Sequence, residues 1–338
     1  MLAVAFVGLP KVGGLAEIRC SLADRRIEES SGIAASSSTD EVVFTHNDSG
    51  DEPRFFAVDT RTCATRATFQ VAGARNLDWE DMAGGSAADG APVLWLADIG
   101  DNAARRASVV VYEVDEPQAG ASGGSVRLRQ RWTLTYPDGA HDAETLLIDP
   151  ETGRPVVITK DGAAGRSQAY RLPAAGSGVL ERLAGLDVRA LPGGGLVSPA
   201  WSLTGGATSP DRRTVALRSY LSAWLWTTTP GEPLSATLAR RPDSLALPVG
   251  RQAEALTFTR DGTGLWVTSE GAGAPLARVP LTPTPPGSPS RDPTEKLDPE
   301  TNDPILPPRS QITLIVILAA ATLALISLFL MVRHRGKP

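Results

Sequence analysis

Five positions of the 338-residue chain combine a side-chain type suited to oxygen chemistry with a recurrent setting. Ser31, Glu80, Glu144, Thr204 and Glu254 fall at equivalent places in the segments SSGIAASS, DWEDMAGG, DAETLLID, LTGGATSPD and QAEALTFTRDG, at spacings of 49, 64, 60 and 50 residues. Three carboxylates and two hydroxyls brought to one axis would suit a hard divalent cation, calcium or a similar ion, because such ions take six to eight oxygen ligands. Without a cation, protons or water between them, three carboxylates at close range repel one another. Further oxygen donors crowd the loops His46-Asn47-Asp48-Ser49-Gly50-Asp51, Asp78-Trp79-Glu80-Asp81, Asp98-Ile99-Gly100-Asp101-Asn102 and His141-Asp142-Ala143-Glu144. Asn, Asp, Ser and Gly also form ordinary turns between strands, so loop by loop turn chemistry is the plainer account.

Other chemistries are limited by absence. The sequence has no GxSxG elbow, HExxH pair, GxxxxGK[ST] loop, CxxC pair, or GxGxxG after a strand. Of its three histidines only His46 and His141 lie before the apolar C-terminal run, so a three-histidine zinc site cannot form there. The candidate catalytic groups are therefore His141, Glu144 and Glu80, with His141 the histidine placed beside two acids. The seven tryptophans sit mostly within apolar strands and read as packing rather than as a carbohydrate platform. Asn47-Asp48-Ser49 matches the glycosylation sequon, a short pattern of little weight.

The elements that would position these groups are β-strands. Short β-rich runs, Val42–Thr45, Val93–Leu96, Val109–Tyr112, Pro155–Thr159, Val215–Leu217 and Leu265–Thr268, recur between Gly, Asp, Asn and Pro turns. Units of about 50 residues with several strands each predict propeller blades. Residues 20–281 then make an all-β, five-bladed β-propeller, and a sixth blade would need a degenerate unit around Val179–Pro199. Because the last unit ends near Leu281 one strand short, Ile18–Ile27 is expected to supply its outermost strand. A Cys20–Cys63 disulfide would staple that strand to the first blade, in keeping with an oxidising compartment.

Around the propeller the composition changes. Residues 1–19 are apolar and read as a truncated signal peptide without a basic n-region. Residues 282–311 form a proline-rich disordered linker, with ten prolines in the 29 residues from Pro280 to Pro308. Ile312–Val332 is a run of 21 residues without a charge, long enough for a transmembrane helix. The basic tail 333–338 follows, which by the positive-inside bias is cytoplasmic and leaves the propeller outside the plasma membrane. A net charge of -5 gives no basic field for nucleic acid.

The blocks SSGIA at Ser30, HNDSGD at His46, DWEDMA at Asp78, ADIGDN at Ala97, HDAETLLIDPETG at His141 and EALTF at Glu254 resemble a group of exported actinobacterial β-propeller proteins. That group, largely of unassigned function, is loosely similar to the SdiA-regulated and esterase-like-phytase propellers. The resemblance covers most of residues 20–281 and implies the same fold. Some of the related propellers bind calcium, which the resemblance carries to Ser31, Glu80 and Glu254. Two functions stand at this point. One is a cell-surface binding or scaffold module for a protein or glycan; the other is a calcium-dependent hydrolase of phosphoester or lactone substrates.

Overall fold

A computed structural model of the chain describes residues 10–12, 16–118, 120–160, 165–192, 202–248, 250 and 252–283. The segments 284–311, 312–332 and 333–338, and Trp201, lie outside the described residues. Among the described residues no helix is long and apolar enough to cross a membrane.

Two short strands, β1 (Pro10–Val12) and β2 (Glu17–Ser21), precede the first blade, which is β3 (Ser30–Ala35), β4 (Val42–Asn47), β5 (Arg54–Asp59) and β6 (Thr65–Val71). The second blade is β7 (Trp79–Ser86), β8 (Pro92–Asp98) and β9 (Val109–Asp115), then an excursion through β10 (Gly124–Val126), and β11 (Leu128–Thr135). The third has β12 (Ala143–Ile148), β13 (Pro155–Thr159), β14 (Arg166–Arg171), the two-residue β15 (Gly178–Val179) and β16 (Glu181–Asp187). The fourth has β17 (Gly205–Thr208), β18 (Thr214–Arg218), β19 (Ser222–Thr227), the short helix α1 (Leu234–Leu238) and β20 (Asp243–Ala246). The fifth supplies only β21 (Leu256–Phe258), β22 (Gly264–Val267) and β23 (Pro275–Pro283).

The antiparallel meander repeats five times, and each of the six β-rich runs in the sequence falls on a blade strand. Strands such as β4, β12 and β13 are buried on both faces, which explains the apolar runs Val42–Phe44, Leu146–Ile148 and Val156–Ile158 in place of strict alternation. The buried side chains fall into five clusters, one at each blade-to-blade interface. Phe44, Phe55 and Phe69 of the first blade, for example, meet Trp79, Leu94 and Leu96 of the second.

Closure follows the expectation from the short fifth blade. β2 pairs antiparallel with the first half of β23, and β1 pairs with its far end, so the N-terminal chain tiles the outer edge in two pieces. This pairing begins at Glu17, three residues inside the segment set apart on its apolar character. Cys20, on β2, is disulfide-bonded to Cys63 in the β5–β6 turn, with Cα atoms 5.6 Å apart. The bridge ties the closing strand to the first blade.

The sequence pattern did not foretell a second edge device. The excursion before β11 sends β10 back to pair parallel with β6, and the one before β16 sends β15 to pair parallel with β11. In the fourth blade the corresponding connection is α1, whose Leu234 and Leu238 join the cluster between the third and fourth blades. Each excursion covers the outer part of the preceding blade, where an open strand edge would invite pairing with other chains.

Candidate metal centre at the channel mouth

The innermost strands β3, β7 and β12 each slip register by one residue against their neighbours, at Ser31, Glu80 and Glu144. A β-bulge re-aims the extra side chain, and here the bulge coincides with the recurrent oxygen-bearing position. Thr204 and Glu254 stand just before β17 and β21. Backbone bonds repeat the geometry from blade to blade. The N–H groups of Asp48, Gly100, Lys160 and Glu270 donate to the carbonyls of Glu29, Asp78, Asp142 and Gln252, at 2.9, 3.2, 2.9 and 3.2 Å. Each acceptor lies two residues before the recurrent position of its blade. A second ring, Asp48, Gly100, Lys160 and Glu270, therefore stands beside the first at one end of the channel.

The two rings meet over the second blade. One carboxylate oxygen from each of Asp48, Asp78 and Glu80 lies within 4.8 Å of the others. The second-ring residue there is Gly100, and glycine is what lets two of the three carboxylates come so near the backbone: a Cβ would collide with Glu80 Oε1 and would stand 2.5 Å from Asp78 Oδ2. Asp48 Oδ1 is buried without a hydrogen-bond partner. An all-oxygen donor set, an orphaned carboxylate oxygen and a glycine that admits the carboxylates fit a hard cation.

The other recurrent residues surround this trio. Glu144 is ion-paired with Lys160, leaving its Oε2 buried and unpartnered. The Tyr220 phenol adjoins Lys160, and burial pushes its ionisation upward. Ser31 Oγ lies 2.5 Å from the carbonyl of Glu80 and 3.3 Å from Glu254 Oε2, joining the first, second and fifth blades. Thr204 Oγ1 donates to the carbonyl of Ala253 at 3.4 Å. Both hydroxyls thus serve as donors between blades.

So many carboxyls in a buried mouth cannot all ionise at ordinary pH. Burial, then the neighbouring Glu144, Asp48 and Glu254, raises Glu80 well above the usual range. Burial does the same for Glu144 against the opposing pull of Lys160. Asp48 is pushed up to about 7 by burial and Asp78. Glu254 rises to about 8 through burial and Glu270, and Glu270 to about 7 through burial and Asp48.

Below the mouth Asp81 is fully buried, accepting from the N–H of Met82 and Leu146 at 2.8 Å and of Gly206 at 3.3 Å, so one carboxylate ties three blades. Arg218, also fully buried, donates to the carbonyls of Ala255 and Thr268 at 2.6 and 3.4 Å. Burial brings it down to about 10, and Glu254 and Asp81 oppose that shift.

Neither histidine belongs to the carboxylate trio. The His141 ring is 3.0 Å from Asp138 Oδ1 and 3.2 Å from Tyr170 Oη, packed edge-on against Tyr136. His46 is sealed from solvent against Trp79, its Nδ1 3.0 Å from the carbonyl of Asn47 and its Nε2 buried without a partner, and burial lowers it to about 4, keeping it neutral. Asp48 and Asp78 lay in the acid-rich loops of the sequence, whereas Lys160, Tyr220, Glu270 and the gap at Gly100 went unnoticed. The signal for them was present: 48, 100, 160, 220 and 270 recur in step with the inner-strand openings.

No family model matches the chain, and no curated protein is similar to it in sequence at a significant level. Among solved structures it is similar to XC5397 from Xanthomonas campestris, described as a gluconolactonase, at 14% identity over 83% of this chain and 99% of that one, with a TM-score of 0.43. It is also similar to the β-propeller domain of Myceliophteria thermophila Cps50 (Swd1), at 11% identity over 78% of this chain and 99% of that one, with a TM-score of 0.38.

Proposed function

We propose that the mouth of the channel holds a hard divalent cation, calcium foremost, between Asp48, Asp78 and Glu80, and that the centre hydrolyses a small phosphoester or lactone. The observation that carries this reading is the convergence of the three carboxylates over the gap at Gly100. A bound cation would polarise a carbonyl or phosphoryl oxygen of the substrate. Lys160 and Tyr220, at the same mouth, would orient an oxyanionic group, and Glu144 holds the ammonium in place. Glu254 and Glu270 are the carboxyls left to handle a proton, since His141 is held by Asp138 and Tyr170 and His46 is sealed from solvent.

With His141 held by Asp138 and Tyr170 and His46 sealed from solvent, no histidine base faces the trio, which favours the second reading, a module that binds a protein or glycan and uses the cation to shape the mouth. Purified full-length protein, stripped of metal and assayed on generic phosphoester and lactone substrates with and without calcium, separates the two. Turnover that needs calcium and disappears in Glu80→Gln supports the hydrolase. Calcium binding without turnover on either class assigns the mouth to ligand binding.

The location proposed with this function is the outer face of the plasma membrane, anchored through Ile312–Val332 by way of the proline-rich linker. Protease added to intact cells should release a folded fragment of roughly 30 kDa. Protection of the propeller in intact cells would reverse the topology.

A further inference from the structure

The carboxylate trio is divided between two sheets. Asp48 follows β4 of the first blade, whereas Asp78 and Glu80 belong to the opening of the second. Each half is fixed within its own blade. The N–H of Asp48 donates to the carbonyl of Glu29 at 2.9 Å. In the second blade the buried Asp98 accepts from the N–H groups of Asp78 and Leu77 at 3.2 and 3.4 Å and is ion-paired with Arg106 at 2.8 Å. Arg106 also donates to the carbonyl of Gly100 at 2.7 Å, so one guanidinium braces both the loop bearing Asp78 and the glycine beside it. These bonds leave open the offset of the first half from the second, and a cation held by both needs that offset fixed because its bond lengths vary little.

Asn76 spans the offset. Its Nδ2 donates to the carbonyl of Asp48 at 2.6 Å and to that of Asn47 at 3.3 Å, while its Oδ1 accepts from the N–H of Trp79 at 3.2 Å. Trp79 stands between Asp78 and Glu80 in the chain, so a single carboxamide joins the backbone of one ligand to the backbone between the other two. The partners fix which way the amide faces, since the carbonyls only accept and the N–H only donates. Asp48 Oδ1 has no hydrogen-bond partner of its own, which leaves the bond from Asn76 to hold this residue to the second blade.

We propose that Asn76 is the positioning residue of the cation centre, holding Asp48 at the separation from Asp78 and Glu80 at which all three ligate one ion. The inference rests on the reading of the mouth as a cation site, and adds that the share of Asp48 in binding is controlled from the neighbouring blade. Asn76 brings no charge. It acts through the backbone of the ligands, sparing Asp48 the cost of being ordered when the cation arrives. The Ser31 hydroxyl on the carbonyl of Glu80 and the His46 ring packed edge-on against Trp79 join the same two blades, so the propeller keeps its closure without the carboxamide.

The test uses the full-length chain with terbium(III) as probe, its luminescence lifetimes in light and heavy water counting bound waters and calcium competition giving the affinity. Asn76→Ala should admit at least one further water to the terbium and weaken calcium binding about tenfold or more. Asp48→Ala should do the same, and adding Asn76→Ala to it should change affinity less than about twofold, because the asparagine then has nothing left to position. Asn76→Asp keeps the acceptor for Trp79 and loses the donor, and it carries the same test if the alanine variant does not fold. It should bind more weakly than wild type, although its added charge by itself attracts a cation. Wild-type water count and affinity in Asn76→Ala overturn the inference, as do additive losses in the double variant or undiminished binding in Asn76→Asp. A wild-type chain that binds no terbium overturns the cation centre and the positioning role together.

Discussion

Gly100→Ala probes the cation centre without touching a carboxylate. The φ of Gly100 is outside the left-handed region, so alanine meets no backbone obstacle; its Cβ instead enters the space beside Glu80 Oε1 and Asp78 Oδ2. Without metal the two carboxylates can swing aside at a cost of about 0.5–1.5 kcal/mol for an off-rotamer side chain. With metal they cannot, because both must face the ion. A cation at a hundredfold excess over its Kd stabilises the native chain by about 2.7 kcal/mol, and a hundredfold loss of affinity leaves about 0.4 kcal/mol. At roughly 2–4 °C per kcal/mol for a domain of this order of size, the calcium-dependent rise in Tm falls from about 5–10 °C to about 1 °C. Thermal melts of wild type and variant, each with chelator and with saturating calcium, give the four values needed. A variant that keeps the wild-type calcium shift would refute the placement of the ion over Gly100.

In chelator, the melting temperature should fall as pH rises from about 4.5 to 8, because Asp48, Glu254 and Glu270 have folded values raised to about 7, 8 and 7 and the native state loses the benefit of its protons through that window. Calcium should flatten the slope, and a flat profile in chelator would show these carboxyls to be solvated. Replacing both Cys20 and Cys63 by serine should cost about 3–4 kcal/mol for the 43-residue separation, read from the shift of the denaturant midpoint. Asp81→Ala should cost about 2–6 kcal/mol, because the N–H groups of Leu146 and Gly206 each lose a buried acceptor. Urea unfolding with an unchanged slope is the measure, and a loss under 1 kcal/mol would remove Asp81 as the tie between blades.

The propeller was legible because each blade reopens with a similar inner strand, and its closure because the fifth unit runs out one strand early. The parallel edge strands β10 and β15 left no trace: strands of three and two residues, each with one glycine, have no period to detect. In the site, the inner ring was legible through register at Ser31, Glu80, Glu144, Thr204 and Glu254. The second ring was hidden because Asp48, Lys160 and Glu270 follow second strands, in loops whose composition is that of any turn. A glycine that matters for the space it leaves, as Gly100 does, cannot be told in sequence from one that merely turns the chain. The ion pair of Glu144 with Lys160 depends on two side chains from one hairpin meeting in the channel, which spacing alone does not report.

The most direct test of the cation centre is a crystal structure of the protein grown with calcium replaced by manganese, with an anomalous difference map calculated at the mouth. A peak within about 2.0–2.6 Å of carboxylate oxygens of Asp48, Asp78 and Glu80 is the predicted result. A mouth with no peak, or a peak held by Glu144 and Glu254 with Asp48 and Asp78 turned away, would contradict it.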